Sequence, residues 1–261
     1  MRAVAEFFVR LSLLFYVLFS CPLVAVARGK PSTPPAGAKV SSAVTSTIKP
    51  EQIEGFDRFP PRVQEMLRYA LTLTEKNLGY VPGSADPAAG GTDCSGFVYH
   101  ILQKHGHTGS PRQSNDMYEW TWRAGTFRAC NGRSMSTFEF GELRPGDLLF
   151  WVNSTRDGKT ERDPPVTHVM FYLGERASDG HRLAVGASDG RTYDGQRQSG
   201  ISVFDFRLPR EGSEARFIGY AHVPGLPAPA EKTEAPKSSV AEKAEQKVKQ
   251  KPKSSPKRSS R

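Results

Sequence analysis

Only three cysteines occur in the 261-residue sequence, and no internal repeat is visible. One of them, Cys21, lies in an N-terminal segment that we expect to be removed, which leaves Cys94 and Cys130 for the mature chain. Two cysteines form at most one bridge, whereas small secreted disulfide scaffolds carry several. The low cysteine content therefore argues against a disulfide framework. The length allows one ordinary domain with extensions, and such a domain builds its own hydrophobic core.

Charge is scarce in residues 1–27, where an apolar run begins at Leu11 and ends in the small-x-small pattern Ala25-Val26-Ala27. This pattern predicts a secretory signal peptide, and hence an exported protein that is periplasmic, bound to the cell envelope or secreted. Two alternatives stay open. One is a retained membrane anchor, because the run approaches spanning length, and the other is a lipoprotein signal, because Leu18-Phe19-Ser20-Cys21 resembles a lipobox.

Two further segments lack any apolar period. Residues 28–52 are rich in Pro, Ser, Thr, Gly and Ala, and we expect a flexible linker there. Residues 226–261 contain no aromatic residue and carry ten Lys or Arg against four Glu, so we expect a disordered basic tail. Solvation alone explains this charge, or else loose contact with a polyanion such as an anionic cell envelope. Nucleic acid is not expected as a partner, because no aromatic is interleaved for base stacking and the signal peptide directs the chain to export.

The remaining residues 53–225 form the predicted folded domain, which contains all six histidines. Apolar residues at helical spacing predict a helix over 61–78, a second helix that starts next to Asp93 and ends at Gly106, and a third over 112–124. After residue 138 the pattern changes to short β-prone runs between turn-rich loops. Helices followed by antiparallel strands predict an α+β fold. The predicted strands cover residues 147–152, 166–174, 182–188, 201–206 and 216–223.

In the stretch GTDCSGFV, Cys94 directly follows Asp93, which is a good helix N-cap. Three interpretations compete: a small buried hydrophobe, half of a bridge to Cys130, or a nucleophile. The first turn of a helix collects free N–H groups and the positive end of the helix dipole, which lowers a thiol's pKa. A cysteine that only fills space gains nothing from that place, so we favour the nucleophile.

His168 stands in the middle of the apolar strand VTHVMFYLG, where alternation places it beside Val166, Met170 and Tyr172. A polar ring on such a strand needs a partner. It is either a core histidine bonded to the backbone or the proton acceptor that a thiol nucleophile requires. Together with a cysteine at a helix start, the catalytic interpretation is favoured.

Three blocks of the sequence, in order and at similar spacing, resemble the NlpC family of cell-wall cysteine peptidases. They are Gly91-Thr92-Asp93-Cys94-Ser95-Gly96-Phe97-Val98, Leu143-Arg144-Pro145-Gly146-Asp147-Leu148-Leu149-Phe150 and Thr167-His168-Val169-Met170-Phe171-Tyr172-Leu173-Gly174. Gly79-Tyr80-Val81-Pro82-Gly83 resembles the family's tyrosine-bearing segment, and Pro111-Arg112-Gln113-Ser114 its Pro-Arg-x-Ser block. The resemblance extends over about residues 62 to 223.

The resemblance implies a papain-like core, with Cys94 as nucleophile, His168 as base and Tyr80 lining the site as a substrate-binding residue. In the family a polar residue on the next strand orients the base, but the alignment puts Gly186 at that position. Ser188 and Asp189 are then the candidates for the third member.

The resemblance also implies hydrolysis of peptide bonds in peptidoglycan stems, often between D-glutamate and a diamino acid. The chemistry needs no metal or cofactor, and we expect none; we also expect a monomer. Arg112, Arg191 and Tyr193 are candidates for holding substrate carboxylates, with ordinary loop polarity as the alternative. Two rival functions stay open: a module that binds wall peptides without cleaving them, and an amidase or acyltransferase that uses the same Cys and His.

Overall fold

The computed structural model describes residues 43–153 and 164–227. The predicted signal peptide, the linker up to residue 42 and the basic tail from residue 228 lie outside the described residues. Among the helices that are described, none combines the length and apolar character needed to span a bilayer.

Of the residues that the structure describes, those in the first part of the domain form three α-helices, as the apolar spacing predicts. They are α1 (Pro61–Thr74), α2 (Cys94–Lys104) and α3 (Ser114–Arg123). Pro61 is the first residue of α1, a position where the missing N–H of proline costs nothing. This helix ends four residues earlier than predicted, and Asn77 follows in a left-handed conformation.

Within the described residues, six strands form an antiparallel sheet, and two short strands pair separately. The separate pair consists of β1 (Gly79–Tyr80) and β2 (Gly91–Thr92), which run parallel to each other. In the main sheet the strand order is β3-β8-β4-β5-β6-β7. Its strands are β3 (Phe127–Ala129), β4 (Leu148–Asn153), β5 (Val166–Glu175), β6 (Arg182–Tyr193), β7 (Gln196–Asp205) and β8 (Ala215–Ala221). The predicted α+β class is confirmed, and all five predicted strands are present.

The sheet has a hydrophobic core on each face. Val169, Phe171 and Leu173 of β5 pack toward the core that the helices cover, together with Phe97 of α2. Met170 and Tyr172 alternate with them and point to a second core on the opposite face, which loop aromatics cover. Because β5 is buried on both faces, its sequence is almost continuously apolar. The polar ring of His168 falls on the strand just before this run.

The predicted flexible linker ends earlier than residue 52. Val44 exchanges two backbone hydrogen bonds with Ser199 of β7, at 2.9 and 2.8 Å, and the Ser46 hydroxyl donates to the Val203 carbonyl at 2.6 Å. Ile48 and Ile53 are buried, with 5% and 2% of their surface exposed. Residues 43–53, which we call the N-terminal strap, therefore pack on the domain. The composition of this segment predicts a linker because Ile48 and Ile53 are its only buried apolar side chains, too few to form an apolar period.

Candidate active site

Asp93 caps the start of α2 and is held there by several donors. Its Oδ1 accepts a hydrogen bond from the Gly96 N–H at 2.6 Å, and its Oδ2 accepts one from the Gly83 N–H at 2.9 Å. The cap predicted from the sequence is therefore present, and it makes Cys94 the first residue of the helix. Gly96 is required by close approach, because a Cβ there would lie 2.0 Å from the Ser84 carbonyl oxygen.

Arg112 braces this helix start. Its two terminal nitrogens donate to Asp93 Oδ2 and to the Ser95 hydroxyl, each at 2.9 Å. The guanidinium is mostly buried, with 22% of the side chain exposed. Since both nitrogens bind groups of the domain itself, the pair fixes the helix start, and contact of Arg112 with a substrate stays a prediction.

The Cys94 thiol lies against strand β5 beside His168. Its Sγ is 3.9 Å from the Thr167 carbonyl oxygen, and it accepts a hydrogen bond from the Val169 N–H. The pairing of β4 with β5 shifts by one residue at this point, since Trp151 faces His168 and Val152 faces Val166. The structure thus brings the predicted nucleophile to the two residues that flank the predicted base. Cys94 is buried, and His168 is half-buried.

Burial raises the pKa of the Cys94 thiol above its ordinary value, and the neighbouring charge of Asp93 raises it further. Hydrogen bonds from the Val169 N–H, the Ser95 N–H and the Tyr80 hydroxyl lower it without reversing the shift. The Ser95 N–H at the helix start lowers this pKa, as expected, but desolvation of the sulfur outweighs it, so the net shift is upward. This shift favours the neutral thiol, so we expect a base to take its proton when the sulfur reacts.

Tyr80 reaches the sulfur through the short parallel pair of strands. Tyr80 pairs with Thr92, and Asp93 and Cys94 follow directly in the chain. Gly91 has no side chain because a Cβ there would lie 1.9 Å from the Gly79 carbonyl oxygen. This close approach of the two strands brings the Tyr80 hydroxyl within hydrogen-bonding reach of the Cys94 sulfur, and contact of Tyr80 with a substrate stays a prediction.

Gly186, which the sequence resemblance puts at the family's orienting position, faces Met170. A Cβ on Gly186 would lie 2.8 Å from Met170 Cγ, so a larger side chain there requires Met170 to move. Extending the β5–β6 register, in which Phe171 faces Val185, puts Ser188 opposite His168. Ser188 and Asp189 both line a surface cleft that also includes His168. Either can act as the third member, and this role stays a prediction.

Two residues of this cleft were not recognised as a unit from the sequence. The Trp151 ring lies 5.5 Å from the His168 ring, centroid to centroid, and the Arg191 guanidinium carbon lies 4.1 Å from the Trp151 ring centroid. The sequence predicts Arg191 only as a ligand of substrate carboxylates and Trp151 only as part of a strand. Knowing that Trp151 pairs with His168 across the strands would have linked these residues to the site. The register between two strands cannot be read from the sequence of either strand alone.

The second described cysteine and the other histidines lie apart from this site. Cys130 and Cys94 are both free thiols, so the bridge considered from the sequence is not formed. His222 binds the buried Asp147 through Nδ1 at 2.8 Å, and His100 binds the Tyr69 hydroxyl at 2.9 Å. Within residues 43–153 and 164–227 no cluster of three or more His, Cys, Asp or Glu side chains is arranged to hold a metal ion.

The segment that contains Cys94 and His168 is similar to a known protein family. Residues 78–195 match the NlpC/P60 family. The family resemblance predicted from the sequence is therefore confirmed, over a shorter stretch than the sequence blocks indicated. NlpC/P60 proteins are usually cysteine peptidases that act on peptidoglycan-derived substrates, often in the cell envelope or outside the cell. No curated protein matches the chain. The NlpC/P60 segment contains Tyr80, Cys94 and His168.

Proposed function

We propose that this chain is an exported cysteine peptidase that hydrolyses amide bonds in peptidoglycan stem peptides, with bonds between D-glutamate and a diamino acid as the preferred class. One observation carries the proposal. Within the NlpC/P60 segment, the sulfur of Cys94 at a capped helix start lies against the two residues that flank His168. A buried thiol beside an imidazole-bearing strand is the arrangement that acyl transfer to sulfur requires.

The first half of the reaction forms a thioester. His168 takes the proton of the Cys94 thiol as the sulfur attacks the amide carbon. The tetrahedral intermediate then collapses, the carbon–nitrogen bond breaks, and His168 gives its proton to the leaving amine. Backbone N–H groups at the start of α2 stabilise the oxyanion, because they converge there and have no partner within the helix.

The second half releases the acyl group. Water attacks the thioester carbon, His168 takes a proton from the water, and the carbon–sulfur bond breaks to give the free acid. The proton returns to sulfur and restores the thiol. Tyr80 donates to the sulfur in the free protein and, in the proposal, stabilises it while it carries negative charge. No metal or cofactor takes part in either half.

Hydrolysis of defined peptidoglycan fragments tests the proposal directly. The purified protein, the Cys94→Ala variant and the Cys130→Ala variant are incubated with stem peptides, and the products are identified by mass spectrometry. We expect a new acid and a new amine from the protein and from Cys130→Ala, and none from Cys94→Ala. A loss of about 10²–10⁴-fold is expected for His168→Ala. Equal product from the Cys94→Ala variant would refute the thioester route.

One observation favours a second function, a module that binds wall peptides without cleaving them. Gly186 has no side chain to orient the base, and Met170 fills the space beside it. In that case stem peptides bind to both the protein and the Cys94→Ala variant, and neither forms products. An amidase or acyltransferase on another substrate is recognised in the same experiment, because a transferase leaves an adduct in place of a free acid.

A further inference from the structure

Trp151 forms the wall against which the imidazole of His168 rests. The two residues face each other across strands β4 and β5, and their rings are 5.5 Å apart with planes inclined by 58°. Trp151 is almost completely buried, with 1% of its surface exposed. A ring that cannot move away restricts the orientation of the imidazole packed on it.

The Trp151 ring is itself held on several sides. Phe217 of β8 and Phe206 after β7 pack edge-on against it, with centroids at 5.3 and 6.1 Å. The Arg191 guanidinium lies on it at 4.1 Å, a distance at which a cation is attracted to the ring face. The same side chain that contacts His168 is thus fixed by two aromatic rings and one cation.

A β-bulge places Arg191 on this face of the sheet. Ser188 faces Gly200 and Arg191 faces Gln198, so two residues of β6 stand opposite one residue of β7. Without the extra residue, alternation would turn Arg191 toward the helix-covered face, whereas the bulge turns it to the face that holds Trp151. Gly190 within the bulge has φ +150°, and a Cβ there would lie 2.2 Å from Arg197 Nη2.

The charged groups around the thiol and the imidazole come from every element packed there. Burial lowers the pKa of Arg191 to about 10, and interaction with an ionised Cys94 raises it, so Arg191 is cationic at neutral pH. Arg197 donates to the Asp189 carbonyl at 3.0 Å, and Arg207 pairs with Asp205 at 3.4 Å. Among the described residues, the charged or titratable side chains near the thiol or in the cleft include Tyr80, Asp93, Arg112, Asp189, Arg191, Arg197, Arg207 and Glu214.

We propose that Trp151 and Arg191 are positioning residues of this site: Trp151 holds the His168 imidazole beside the Cys94 thiol, and Arg191 clamps Trp151 while its charge stabilises the thiolate. The inference rests on the proposed Cys94–His168 pair. It gives the chain a way to orient its base although Gly186 stands where the family carries the orienting side chain. Packing and a stacked cation take over this task.

The pH dependence of Cys94 alkylation tests the role of Arg191 without a peptide substrate. The full chain is treated with iodoacetamide, an uncharged reagent, and modification of the Cys94 peptide is followed by mass spectrometry. For Arg191→Gln we expect the profile to move to higher pH and the rate at pH 7 to fall about 3- to 10-fold, because a nearby positive charge favours the thiolate. Arg133→Gln removes an exposed arginine that pairs with Glu211 outside this cleft; it is the control and should stay within about twofold of the unaltered protein. Arg191→Lys keeps the charge and should lie between the two.

Two further variants test the role of Trp151. Trp151→Phe keeps a ring next to His168 and should retain most of the alkylation rate. For Trp151→Leu we expect the rate at pH 7 to fall about tenfold. Circular dichroism of each variant checks the fold, and if Trp151→Leu does not fold, the arginine variants decide. Superimposable profiles for Arg191→Gln and the unaltered protein would overturn the inference. Because alkylation reports on the thiol alone, a protein that shows the shift but cleaves no peptide would contradict the proposed function and keep this inference.

Discussion

The reactivity of the site in the free protein depends on the protonation state of one buried sulfur, that of Cys94. Only 6% of the Cys94 surface is exposed, so forming the thiolate requires bringing a charge out of water. Three donors compensate in part, and two of them are backbone N–H groups that every variant retains. Tyr80 is therefore the side chain through which the pKa of this thiol can be changed most cleanly.

We expect Tyr80→Phe to raise the pKa of Cys94 further. The hydroxyl stabilises the charged form, so its loss favours the thiol, and a hydrogen bond to a charged group contributes about 1.5–3 kcal/mol, or roughly one to two pH units. Since only the thiolate reacts, alkylation at a fixed pH below the pKa should slow about tenfold or more. The measurement is the rate of iodoacetamide labelling between pH 6 and 10. Tyr99→Phe, on the same helix as Cys94, is the control, and an equal slowing of both would contradict the prediction.

At the scale of elements, α2 depends on one carboxylate at its start. Asp93 caps the helix, holds the Gly83 N–H and pairs with the largely buried Arg112. Removing it leaves helix donors and a guanidinium without their acceptor, and both effects lower the free energy of unfolding. Asp93 also positions Cys94, the predicted nucleophile, as the first residue of the helix. A change at Asp93 should therefore affect both the stability of the domain and the reactivity of the thiol.

We expect Asp93→Ala to lower the free energy of unfolding by about 2–4 kcal/mol, the sum of a lost cap and a lost partly buried ion pair. Asp93→Asn keeps an acceptor for the cap and should cost less. Because the Asp93 charge raises the pKa of Cys94, Asp93→Asn should also make the thiol more acidic. Urea unfolding measures the first effect and alkylation the second. Asp116→Ala, at an exposed position, should change the free energy of unfolding by less than about 0.5 kcal/mol. A loss there as large as that of Asp93→Ala would show that the cap and the ion pair of Asp93 are not the cause.

The contact between β5 and β6 at Gly186 is a second feature of this scale. A Cβ at this position would lie 2.8 Å from Met170 Cγ, closer than real side-chain atoms approach. We expect Gly186→Ala to cost about 1–3 kcal/mol by overpacking. In the background of Met170→Ala the same change should cost much less, because the obstructing side chain is gone. A double-mutant cycle by urea unfolding measures this coupling, and additive losses would show that the two positions do not compete for space.

The sequence predicts elements with long apolar periods well and misses what depends on pairing. Residues of α1 and α2 show their buried faces by spacing alone, and the Asp93 cap is a local signal. The strands β1 to β3 have only two or three residues each, too few for a period to appear. The bulge before Arg191 and the contact of Trp151 with His168 follow from register between strands, which no single segment encodes.

At the scale of the whole molecule, the N-terminal strap closes an open edge of the sheet. β7 is the last strand in the sheet order; Leu78 accepts a hydrogen bond from its Ile201 N–H at 2.9 Å, and without the strap other N–H and C=O groups of its outer edge would lack a partner. The strap covers it through the two hydrogen bonds between Val44 and Ser199 and through Ser46. Such an edge is a template for pairing with another chain, and proteins commonly cover it. The strap therefore contributes both to stability and to the monomeric state that we expect.

We expect removal of residues 1–52 to destabilise the domain and promote self-association, whereas removal of residues 1–42 should do neither. The longer deletion loses the burial of Ile48 and uncovers β7, while the shorter one leaves the strap in place. Ile48→Ala alone should lower the free energy of unfolding by about 2–5 kcal/mol, against about 0.5 kcal/mol or less for the exposed Val44→Ala. Urea unfolding and size-exclusion chromatography report the two effects separately. Equal stability and equal elution of the two deletion variants would mean that the strap rests on the sheet without supporting it, and that the folded domain begins after residue 52.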